Sequence, residues 1–240
     1  MNLTFFRGGV KWFSSRVFVS SPMRSRAEEN TLKSLLALSA GSGKASAAAL
    51  ARRLGITMPT VTTMVKKLAR KGLVRYERYR PLRLTARGRR EALQIIRKHR
   101  LVEQFLVGKM RFGWEEVHAI AEQIEHVDAP GLFDRMDELL GHPTFDPHGE
   151  PIPDNTGKVV RRAATLLSDC APGESVRLRG TLDATTELLG CLDQRGLRLG
   201  LILKVRSVTP GGGYMVVDMG RKRNQTLSHT LCERLLVEPA

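Results

Sequence analysis

The chain has 240 residues, of which 42% are apolar, and a formal net charge of +15, a length and composition that suit several small globular domains. No stretch approaches the roughly 18 consecutive apolar residues of a membrane span, and three dispersed cysteines without a Cys-x-x-Cys pair argue against a disulfide framework or a thiolate zinc site, so we expect a protein of the reducing cytoplasm. The charge is unevenly distributed along the chain. Residues 44–111 carry nineteen Lys or Arg and three acidic residues, whereas residues 112–155 carry eleven acidic residues and one Arg. The first region therefore suits binding to a polyanion, and the second contains candidate metal ligands.

The first 23 residues contain Arg7, Lys11 and Arg16 but no acidic residue. Their apolar runs are shorter than the core of about 7–15 residues that a signal peptide needs. We therefore expect residues 1–23 to be a disordered tail; alternatively, translation starts at Met23 and residues 1–22 lie upstream of it.

Two helices are predicted before the third, basic one. The first begins near Glu28, carries a stripe of leucine residues and ends at a Gly-Ser-Gly turn over residues 41–43. The second covers residues 46–54, where small alanine side chains allow close packing. Gly55 follows it and is the residue type that a tight turn between helices needs.

A third helix is predicted from Thr57, with Pro59 in its first turn. One arc of this helix is apolar and faces inward; its members are Val61, Met64, Val65 and Leu68. The other arc offers hydroxyls and a cation, as a recognition helix does in a DNA major groove. The residues predicted to contact DNA from this helix are Thr57, Pro59, Thr60, Thr63 and Lys67. An ordinary amphipathic surface helix is the alternative interpretation.

Residues 72–85 have the pattern of a β-hairpin. Leucine residues supply its inward side chains, and four arginines project outward, among them Arg78 and Arg80. Three helices followed by a basic hairpin predict a winged helix-turn-helix domain over residues 24–95, whose wing contacts the phosphates of double-stranded DNA. Such contacts predict a steep loss of affinity with added salt.

Six side chains in the following helices have the chemistry of metal ligands. On a long helix that starts near Thr85, His99 and Glu103 stand four residues apart and share a face. The next predicted helix carries the other four within an arc of about 100°: His118, Glu122, Glu125 and His126. Because desolvation beside an apolar arc penalises unpaired charge, we interpret these residues as a divalent-cation site. A solvated acidic face with incidental histidines is the alternative.

Four segments of this region have a distinctive order: RKHRLVE at 97–103, EVH at 116–118, EQIEHV at 122–127 and DPHGEPIP at 146–153. On these segments, the sequence from about residue 24 onward resembles the diphtheria-toxin-repressor and manganese-transport-regulator family of metal-dependent bacterial repressors. The resemblance implies a primary metal site and a second, ancillary one. The primary site would be Glu122, Glu125 and His126, and the second would be His99, Glu103 and His118.

The resemblance is mixed at the primary site. Iron-type members have Cys where this chain has Glu122 and Met where it has Asn30, whereas manganese-type members have the Glu but carry carboxylates at positions 30 and 33. Asn30 can still offer its carbonyl oxygen, but Lys33 cannot act as a ligand while it is protonated. The carboxylate, imidazole and amide donors suit Mn(II) or Fe(II), and the residues do not decide between these two metals.

From about residue 166, short apolar runs separated by turns predict β-strands; the runs are 176–178, 201–205, 214–217 and 235–237. A linker is expected over residues 156–165, after a helical metal-binding and dimerisation domain at 96–155. The resemblance implies that residues 166–240 form an SH3-like (FeoA-like) β-barrel, which would donate Glu187 to the second metal site. The predicted fold class is mostly α with small β parts: an N-terminal winged helix-turn-helix, a helical domain and a C-terminal barrel.

The residues and the resemblance together predict a metal-dependent transcriptional repressor of metal-ion homeostasis genes, with Mn(II) or Fe(II) as corepressor. We expect a cytoplasmic homodimer, joined through the helices of residues 114–140, that binds a palindromic operator. Two alternatives remain. One is a metal-independent winged-helix regulator whose acidic helix only dimerises; the other, less favoured, is a metallohydrolase, although no nucleophile or oxyanion motif accompanies the ligands.

Overall fold

The computed structural model describes residues 25–40, 44–160, 164–182, 185–209 and 213–240. The predicted N-terminal tail and the Gly-Ser-Gly turn lie outside these residues. In chain order, the described elements are three short helices with a hairpin, three further helices, and a β-sheet segment with two helices. None of the described helices is long and apolar enough to cross a membrane.

Three short helices form the first segment, and a side-chain hydroxyl begins each of them. They are α1 (Arg26–Leu38), α2 (Ala47–Leu54) and α3 (Met58–Arg70). The N-cap residues, Ser25, Ser46 and Thr57, each accept a hydrogen bond from a first-turn backbone N–H, which satisfies a donor that the helix itself leaves unpaired. Gly55 ends α2 at φ 64°, a left-handed conformation that glycine adopts without strain.

A hairpin packs beside these helices, as predicted, although its strands are short. β1 (Val74–Arg75) pairs antiparallel with β2 (Arg83–Leu84). Leu82 forms a bridge with Ala45, which joins the segment before α2 to the hairpin. The core between helices and hairpin is formed mainly by Leu32, Leu35, Leu50, Val61, Val65, Leu68 and Leu73. Three members of the predicted inward arc of α3, Val61, Val65 and Leu68, are buried in this core, whereas Met64 is only half-buried. The segment is a winged helix-turn-helix.

One long helix, α4 (Ala86–Met110), leads from the hairpin into the middle of the chain. Thr85 caps it by accepting a hydrogen bond from the Gly88 N–H at 3.0 Å. At Gly88 the helix approaches the hairpin so closely that a Cβ would lie 1.9 Å from the Leu73 carbonyl oxygen. The start of α4 is therefore fixed against the wing.

Two shorter helices, α5 (Val117–Ile124) and α6 (Leu132–Leu139), pack against the second half of α4 around a small apolar core. Helix α5 ends earlier than predicted, because Glu125 is its C-cap and His126 lies in the following turn. Pro130 follows four residues later, and proline is incompatible with a continued helix. The four candidate ligands of this region therefore do not share one regular helical arc.

The segment after α6 folds back along α4 without regular secondary structure. Arg97 and Arg100 of α4 hold it by donating hydrogen bonds to two of its backbone carbonyl oxygens, at 3.0 and 2.6 Å. Within the segment, the Asp146 carboxylate accepts hydrogen bonds from the backbone N–H groups of His148 and Glu150, both at 2.9 Å. This turn buries Asp146 and His148 against α4.

The C-terminal segment is a six-stranded antiparallel sheet with the strand order β3-β8-β4-β5-β6-β7. Its elements are β3 (Thr165–Leu166), a 3-10 turn (Leu167–Asp169), β4 (Ser175–Thr181), α7 (Thr186–Arg195), β5 (Ile202–Val208), β6 (Tyr214–Met219), β7 (Lys222–Ser228), α8 (His229–Cys232) and β8 (Leu235–Pro239). The four predicted strand runs fall in β4, β5, β6 and β8. Strand β7 and helix α7 were not predicted from the apolar pattern.

Among the described residues, the sheet packs against the helical segment both before α5 and at strand β4. Trp114, which precedes α5, belongs to the sheet's core, and Val107 of α4 packs against that core. Strand β4 also touches the turn after α6, because the Thr181 N–H donates to the His148 carbonyl oxygen at 3.3 Å. A Cβ added at Gly149 would lie 1.9 Å from a backbone oxygen of β4. The backbone at residue 149 therefore has no room for any residue but glycine.

Candidate metal centre and DNA-binding surface

The outer face of α3 and the tip of the hairpin line one groove, with Met58 and Lys66 on one side and Arg78 and Arg80 on the other. The seven residues predicted to contact DNA are all exposed: Thr57, Pro59, Thr60, Thr63, Lys67, Arg78 and Arg80. Helix α3 contains no acidic residue. This surface offers short hydroxyls and cations to base edges and phosphates, as a recognition helix and wing require.

Two of these residues also have partners within the protein. The Thr57 hydroxyl caps α3 and lies 2.9 Å from the Thr60 hydroxyl. The Lys67 ammonium lies 3.1 Å from Oε1 of Glu28, which is buried and also receives hydrogen bonds from Lys71. Burial alone would raise the pKa of Glu28, but the hydrogen bonds from Lys71, Ser25 and Lys67 lower it below its ordinary value. Glu28 therefore partly neutralises the Lys67 ammonium, and we expect Lys67 to attract a phosphate less strongly than Arg78 does.

Three of the six predicted metal ligands meet where α4 faces α5. The Nε2 atom of His99 lies 2.9 Å from Glu103 Oε1 and 3.1 Å from His118 Nδ1, and the same two partner atoms are 3.1 Å apart. His99 and Glu103 are buried, whereas about half of the His118 side chain is exposed. The three atoms form a compact group that lines a cleft together with Lys33 of α1 and Glu150 of the turn after α6.

The ionisation of this group is shaped by its own contacts. Burial would lower the pKa of His99, but hydrogen bonds to Glu103 and Glu125 raise it to about 9. Burial would raise the pKa of Glu103, but hydrogen bonds from His118, His148 and His99 hold it far below its ordinary value. The group therefore pairs a carboxylate with positively charged imidazole, and a bound cation can replace the proton between them. Two imidazoles and a carboxylate are a donor set that borderline divalent transition metals accept.

A second group of potential ligands shares Glu103. One ligand atom each from Glu103, Asp146 and His148 lies within 4.8 Å of the others, and all three residues are buried. The Asp146 Oδ2 atom is buried without a hydrogen-bond partner in the described part of the chain, 3.5 Å from Arg100 Nε. Burial raises the pKa of Asp146 to about 7. The orphaned oxygen is the kind of atom that a bound cation would satisfy.

Sequence reasoning did not identify Asp146 and His148 as ligands. Both residues were recognised only as part of the DPHGEPIP segment, which is distant in sequence from Glu103 and has no helical period. The available signal was the Asp-x-His spacing itself, since it places a carboxylate and an imidazole in one tight turn.

The residues predicted as the primary site have diverging surroundings. Glu125 is fully buried, and its two oxygens have different partners: Oε2 lies 2.6 Å from His99 Nδ1, and Oε1 lies 2.7 Å from Lys33 Nζ. Glu122 is half exposed, with Oε1 3.7 Å from His118 Nε2. His126 Nε2 lies 3.3 Å from Glu125 Oε1. In the described residues, the converging groups of ligand atoms do not include Glu122, Glu125 or His126.

Burial would raise the pKa of Glu125, but hydrogen bonds from His99 and Lys33 lower it. The Oε2 contact fixes the His99 ring, because a histidine that donates its Nδ1 proton to a carboxylate directs Nε2 at the opposite partner. Glu125 therefore positions a ligand of the first group.

Helix α1 contributes to this region through residues that sequence reasoning partly missed. Glu29 Oε2 lies 2.5 Å from His126 Nδ1, and Arg26 donates to the Glu122 carbonyl oxygen at 3.3 Å. Asn30, the predicted α1 ligand, is half-buried beside Glu29. Glu187 is exposed in the first turn of α7 and lies outside both converging groups of the described residues.

Three family models match successive parts of this chain. The N-terminal DNA binding domain of the iron dependent repressors matches residues 23–82, and the metal binding and dimerisation domain of the same repressors matches residues 85–154. The FeoA domain matches residues 165–239. These matches follow the order of the winged, helical and sheet segments, and they bear out the predicted fold class and resemblance.

Curated relatives show the same similarity. The chain is 33% identical over 208 residues to the iron-dependent repressor IdeR of Mycobacterium tuberculosis, across 80% of this chain and 87% of that protein. It is 43% identical over 205 residues to IdeR of Mycobacterium leprae, across 80% and 87%. The diphtheria toxin repressor of Corynebacterium efficiens is 33% identical over 184 residues, across 70% and 80%.

Solved structures agree with the sequence relatives. A manganese-dependent transcriptional repressor in complex with manganese is similar at a TM-score of 0.77 and 32% identity, across 89% of this chain and 100% of that one. ScaR with bound Zn²⁺ is similar at a TM-score of 0.67 and 27% identity, across 89% and 99%.

Proposed function

The chain belongs to the iron-dependent repressor family, and from this premise we propose that a cation held by His99, Glu103 and His118 is the corepressor that controls its DNA binding. The protein is a metal-dependent, DNA-binding transcriptional repressor and not an enzyme, so the metallohydrolase alternative is wrong. The observation that supports the proposed site best is the convergence of one atom from each of these three residues, with separations of 2.9 to 3.1 Å.

The cofactor is a divalent transition metal, Mn(II) or Fe(II). When bound, it supplies positive charge and directional coordination to the ligands of α4 and α5. Carboxylate and imidazole donors accept either metal, and Zn(II) would bind such donors more tightly still, so selectivity has to come from geometry and from metal availability. Similar proteins have been solved with manganese and with Zn²⁺, which agrees with a permissive donor set.

The position of α4 explains how ligands can reach the DNA-binding surface. The start of this helix is fixed against the wing through Gly88, and its middle carries His99 and Glu103. When His99 and Glu103 are drawn toward His118, α4 and α5 are held in one arrangement. DNA affinity then changes to the extent that the cation prefers this arrangement over others.

We also propose that Asp146 and His148 hold a second cation next to the first, with Glu103 between them. The buried Oδ2 of Asp146 supports this extension, because among the described residues it accepts no hydrogen bond and has only Arg100 Nε nearby, at 3.5 Å. For Asn30 and Glu187, the contacts of the described residues add no support, and we do not assign them to either group.

The repressor binds DNA and dimerises through its metal-binding domain. We propose that the helices of residues 114–140 form the dimer interface, that the two wings meet half-sites of a palindromic operator, and that the protein acts in the cytoplasm on metal-homeostasis genes. We assign residues 24–95 to the DNA-binding domain, 96–155 to the metal-binding domain and 166–240 to the sheet domain. Val127 and Leu139 are exposed apolar side chains near the proposed interface and support it.

The proposal is tested by fluorescence anisotropy on operator DNA that has been selected from a random library in the presence of metal. We expect Mn(II) or Fe(II), added anaerobically after chelation, to tighten binding at least tenfold, which is a coupling of about 1.4 kcal/mol. Glu103→Gln should lower Mn(II) affinity by about 10–100-fold or more and remove the metal response, because it removes the charge that both ligand groups share.

Glu233→Gln is the matched control, because it makes the same substitution at an exposed position of the C-terminal segment. It should leave both measurements unchanged. Equal DNA binding with and without metal in the unaltered protein would contradict the proposed site and favour a regulator that works without metal.

A further inference from the structure

Lys33 lies at the junction between α1 and the end of α5. Its Nζ atom is 2.7 Å from Glu125 Oε1 and 3.8 Å from Glu122 Oε1, and its side chain is mostly buried. Glu125 is fully buried. An ammonium therefore sits between two carboxylates that the sequence predicted as ligands of one cation.

The ammonium satisfies a strong local need. A buried carboxylate without a partner is strongly disfavoured, so removing one member of a buried pair destabilises the fold. Glu125 Oε2 is occupied by His99, so Oε1 depends on Lys33, because its other neighbour, His126 Nε2, lies 3.3 Å away and makes no hydrogen bond among the described residues. Lys33 thus supplies the nearest positive charge to this oxygen within the described residues.

The same position excludes a second cation. Metal–oxygen bonds in proteins are about 2.0–2.6 Å long, so an ion that binds Glu125 Oε1 on the side of Glu122 would meet the Lys33 Nζ atom, which lies 2.7 Å from the first oxygen and 3.8 Å from Glu122 Oε1. The Lys33 ammonium is already there, and it repels a divalent ion at that range by simple Coulomb interaction. The ammonium and an ion cannot both bind these two carboxylates.

Lys33 also has companions that join the same two elements. Glu29 of α1 contacts His126 at 2.5 Å, and Arg26 of α1 donates to the Glu122 carbonyl oxygen at 3.3 Å. Three side chains of α1 therefore connect the DNA-binding segment to the end of α5 through the protein's own charges.

We propose that Lys33 is a built-in cation that replaces a metal ion between α1 and α5. The link between the DNA-binding segment and the end of α5 then forms without metal, and metal acts only where α4 faces α5 and the 146–148 turn. This inference rests on the proposed function, because it distinguishes one position that a lysine ammonium occupies from the other positions that metal ions occupy. It assigns Lys33 as a positioning residue that sets both the number of ions bound and the affinity for DNA without metal.

The test compares the unaltered protein with Lys33→Glu, which adds a carboxylate in place of the ammonium. Bound Mn(II) is counted by mass spectrometry after gel filtration, and operator binding is measured with chelator and with Mn(II). We expect Lys33→Glu to bind one more Mn(II) per chain. Without metal its DNA affinity should fall at least tenfold, and with Mn(II) it should recover, so the ratio between the two conditions rises at least tenfold.

Two further variants separate charge from local structure. Lys33→Arg keeps a cation and should match the unaltered protein in both ion count and metal-free DNA binding. Lys109→Glu makes the same charge reversal at an exposed position in the last turn of α4 and should leave the ion count unchanged. Should Lys33→Glu fail to fold, Lys33→Gln decides: its metal-free DNA affinity should also fall at least tenfold.

The proposal is overturned if Lys33→Glu binds no more Mn(II) than the unaltered protein, or if Lys33→Gln binds operator without metal as tightly as the unaltered protein. It is also overturned if Glu122→Gln loses one Mn(II), since the proposal leaves no ion for Glu122 to bind. These outcomes are distinct from failure of the proposed function, which would appear as an unaltered protein whose DNA binding ignores metal and whose Glu103→Gln variant binds as much Mn(II) as before.

Discussion

Glu103 is the residue on which both groups of ligand atoms depend. Its Oε1 contacts His99 and His118, and its Oε2 lies 3.7 Å from His148 Nδ1. One buried carboxylate therefore faces three imidazoles, which is unusual for a structural core and stabilises the anion strongly. His99 and His148 in turn are stabilised as cations, so proton binding and metal binding compete at the same atoms.

We predict opposite pH dependences for the metal-free fold and for metal binding. The pKa of His99 is raised from 6.5 to about 9, so its contribution to stability is fully present below about pH 6.5 and is lost as pH rises through about 9. The Tm of chelator-treated protein should fall across that window. The apparent Mn(II) affinity should rise over the same window, by up to about tenfold per pH unit, because the ion displaces a proton.

Circular dichroism melts with chelator and anaerobic titration calorimetry with Mn(II) measure the two trends. His99→Gln should flatten both of them, whereas His229→Gln, on α8 of the C-terminal segment, should change neither. A Mn(II) affinity that is constant from pH 6.5 to 9 would show that no proton leaves His99 on metal binding.

Some residues of the candidate site could be predicted from the sequence and others could not. The six histidine and glutamate residues were predicted as ligands because helical spacing puts them on shared faces, and three of them, His99, Glu103 and His118, converge among the described residues. Glu29, Asp146 and His148 were missed because their proximity to the site depends on how α1 and the turn after α6 pack against α4. No local period carries that information, and the role of Lys33 as a partner of Glu125 is likewise a tertiary fact.

At the scale of elements, α4 is the helix that connects the DNA-binding segment to the candidate metal ligands. It contains two glycines whose surroundings differ sharply. A Cβ at Gly88 would lie 1.9 Å from the Leu73 carbonyl oxygen, whereas a Cβ at Gly108 would meet nothing nearer than 3.9 Å. The first glycine is required by the contact between helix and wing, and the second is not.

We predict that Gly88→Ala destabilises the protein by about 1–3 kcal/mol or more, because backbone must move to admit the methyl group. Gly108→Ala should instead be neutral or stabilise by up to about 1 kcal/mol, since alanine favours the helix. Urea unfolding measures both changes. Gly88→Ala should also weaken DNA binding while it keeps its Mn(II) affinity, and equal stability of the two variants would contradict the proposed anchoring of α4.

The exposed arginines of the wing would contact DNA phosphates, so we predict that they contribute to affinity and to its salt dependence. Arg78→Ala and Arg80→Ala should each weaken operator binding about equally for matched and mismatched sequences. Each should also reduce the slope of log affinity against log salt by about one. Anisotropy titrations over a range of NaCl concentrations measure the slope.

Thr63→Ala, on the face of α3, is the comparison for these arginine variants. It should reduce the difference in affinity between matched and mismatched DNA, and it should leave the slope of log affinity against log salt unchanged. An unchanged slope for both arginine variants would exclude the wing from phosphate contact.

The elements were predicted unevenly, and the reason is physical. Helices α1 to α4 have apolar periodicity and capping residues, and each was found. Strand β7 begins Lys-Arg-Asn-Gln-Thr, and most of its side chains are exposed, so it has no apolar pattern; its pairing with β6 holds it in the sheet. Helix α5 was predicted too long because Glu125 and His126, which follow its last residue, Ile124, continue the helical spacing of the candidate ligands.

At the scale of the whole molecule, two copies are needed to bind two half-sites. We predict that Leu139→Glu, at an exposed apolar position of α6, lowers dimer affinity and with it operator affinity, because a charge at the core of an interface is disfavoured. Sedimentation velocity measures the oligomeric state. Leu182→Glu makes the same change at an exposed apolar position next to β4 and should leave the dimer intact, and a dimer that survives Leu139→Glu would place the interface elsewhere.

The close contact between Gly149 and strand β4 has a consequence for the C-terminal sheet. The turn that carries Asp146 and His148 lies directly on the backbone of β4, at a distance that leaves no slack for a methyl group. A shift of that turn toward the sheet would therefore require β4 to move as well. Under the proposed assignment of Asp146 and His148 as ligands, linkage is reciprocal, so a molecule that binds the sheet and displaces β4 should also change the affinity of that site for its ion.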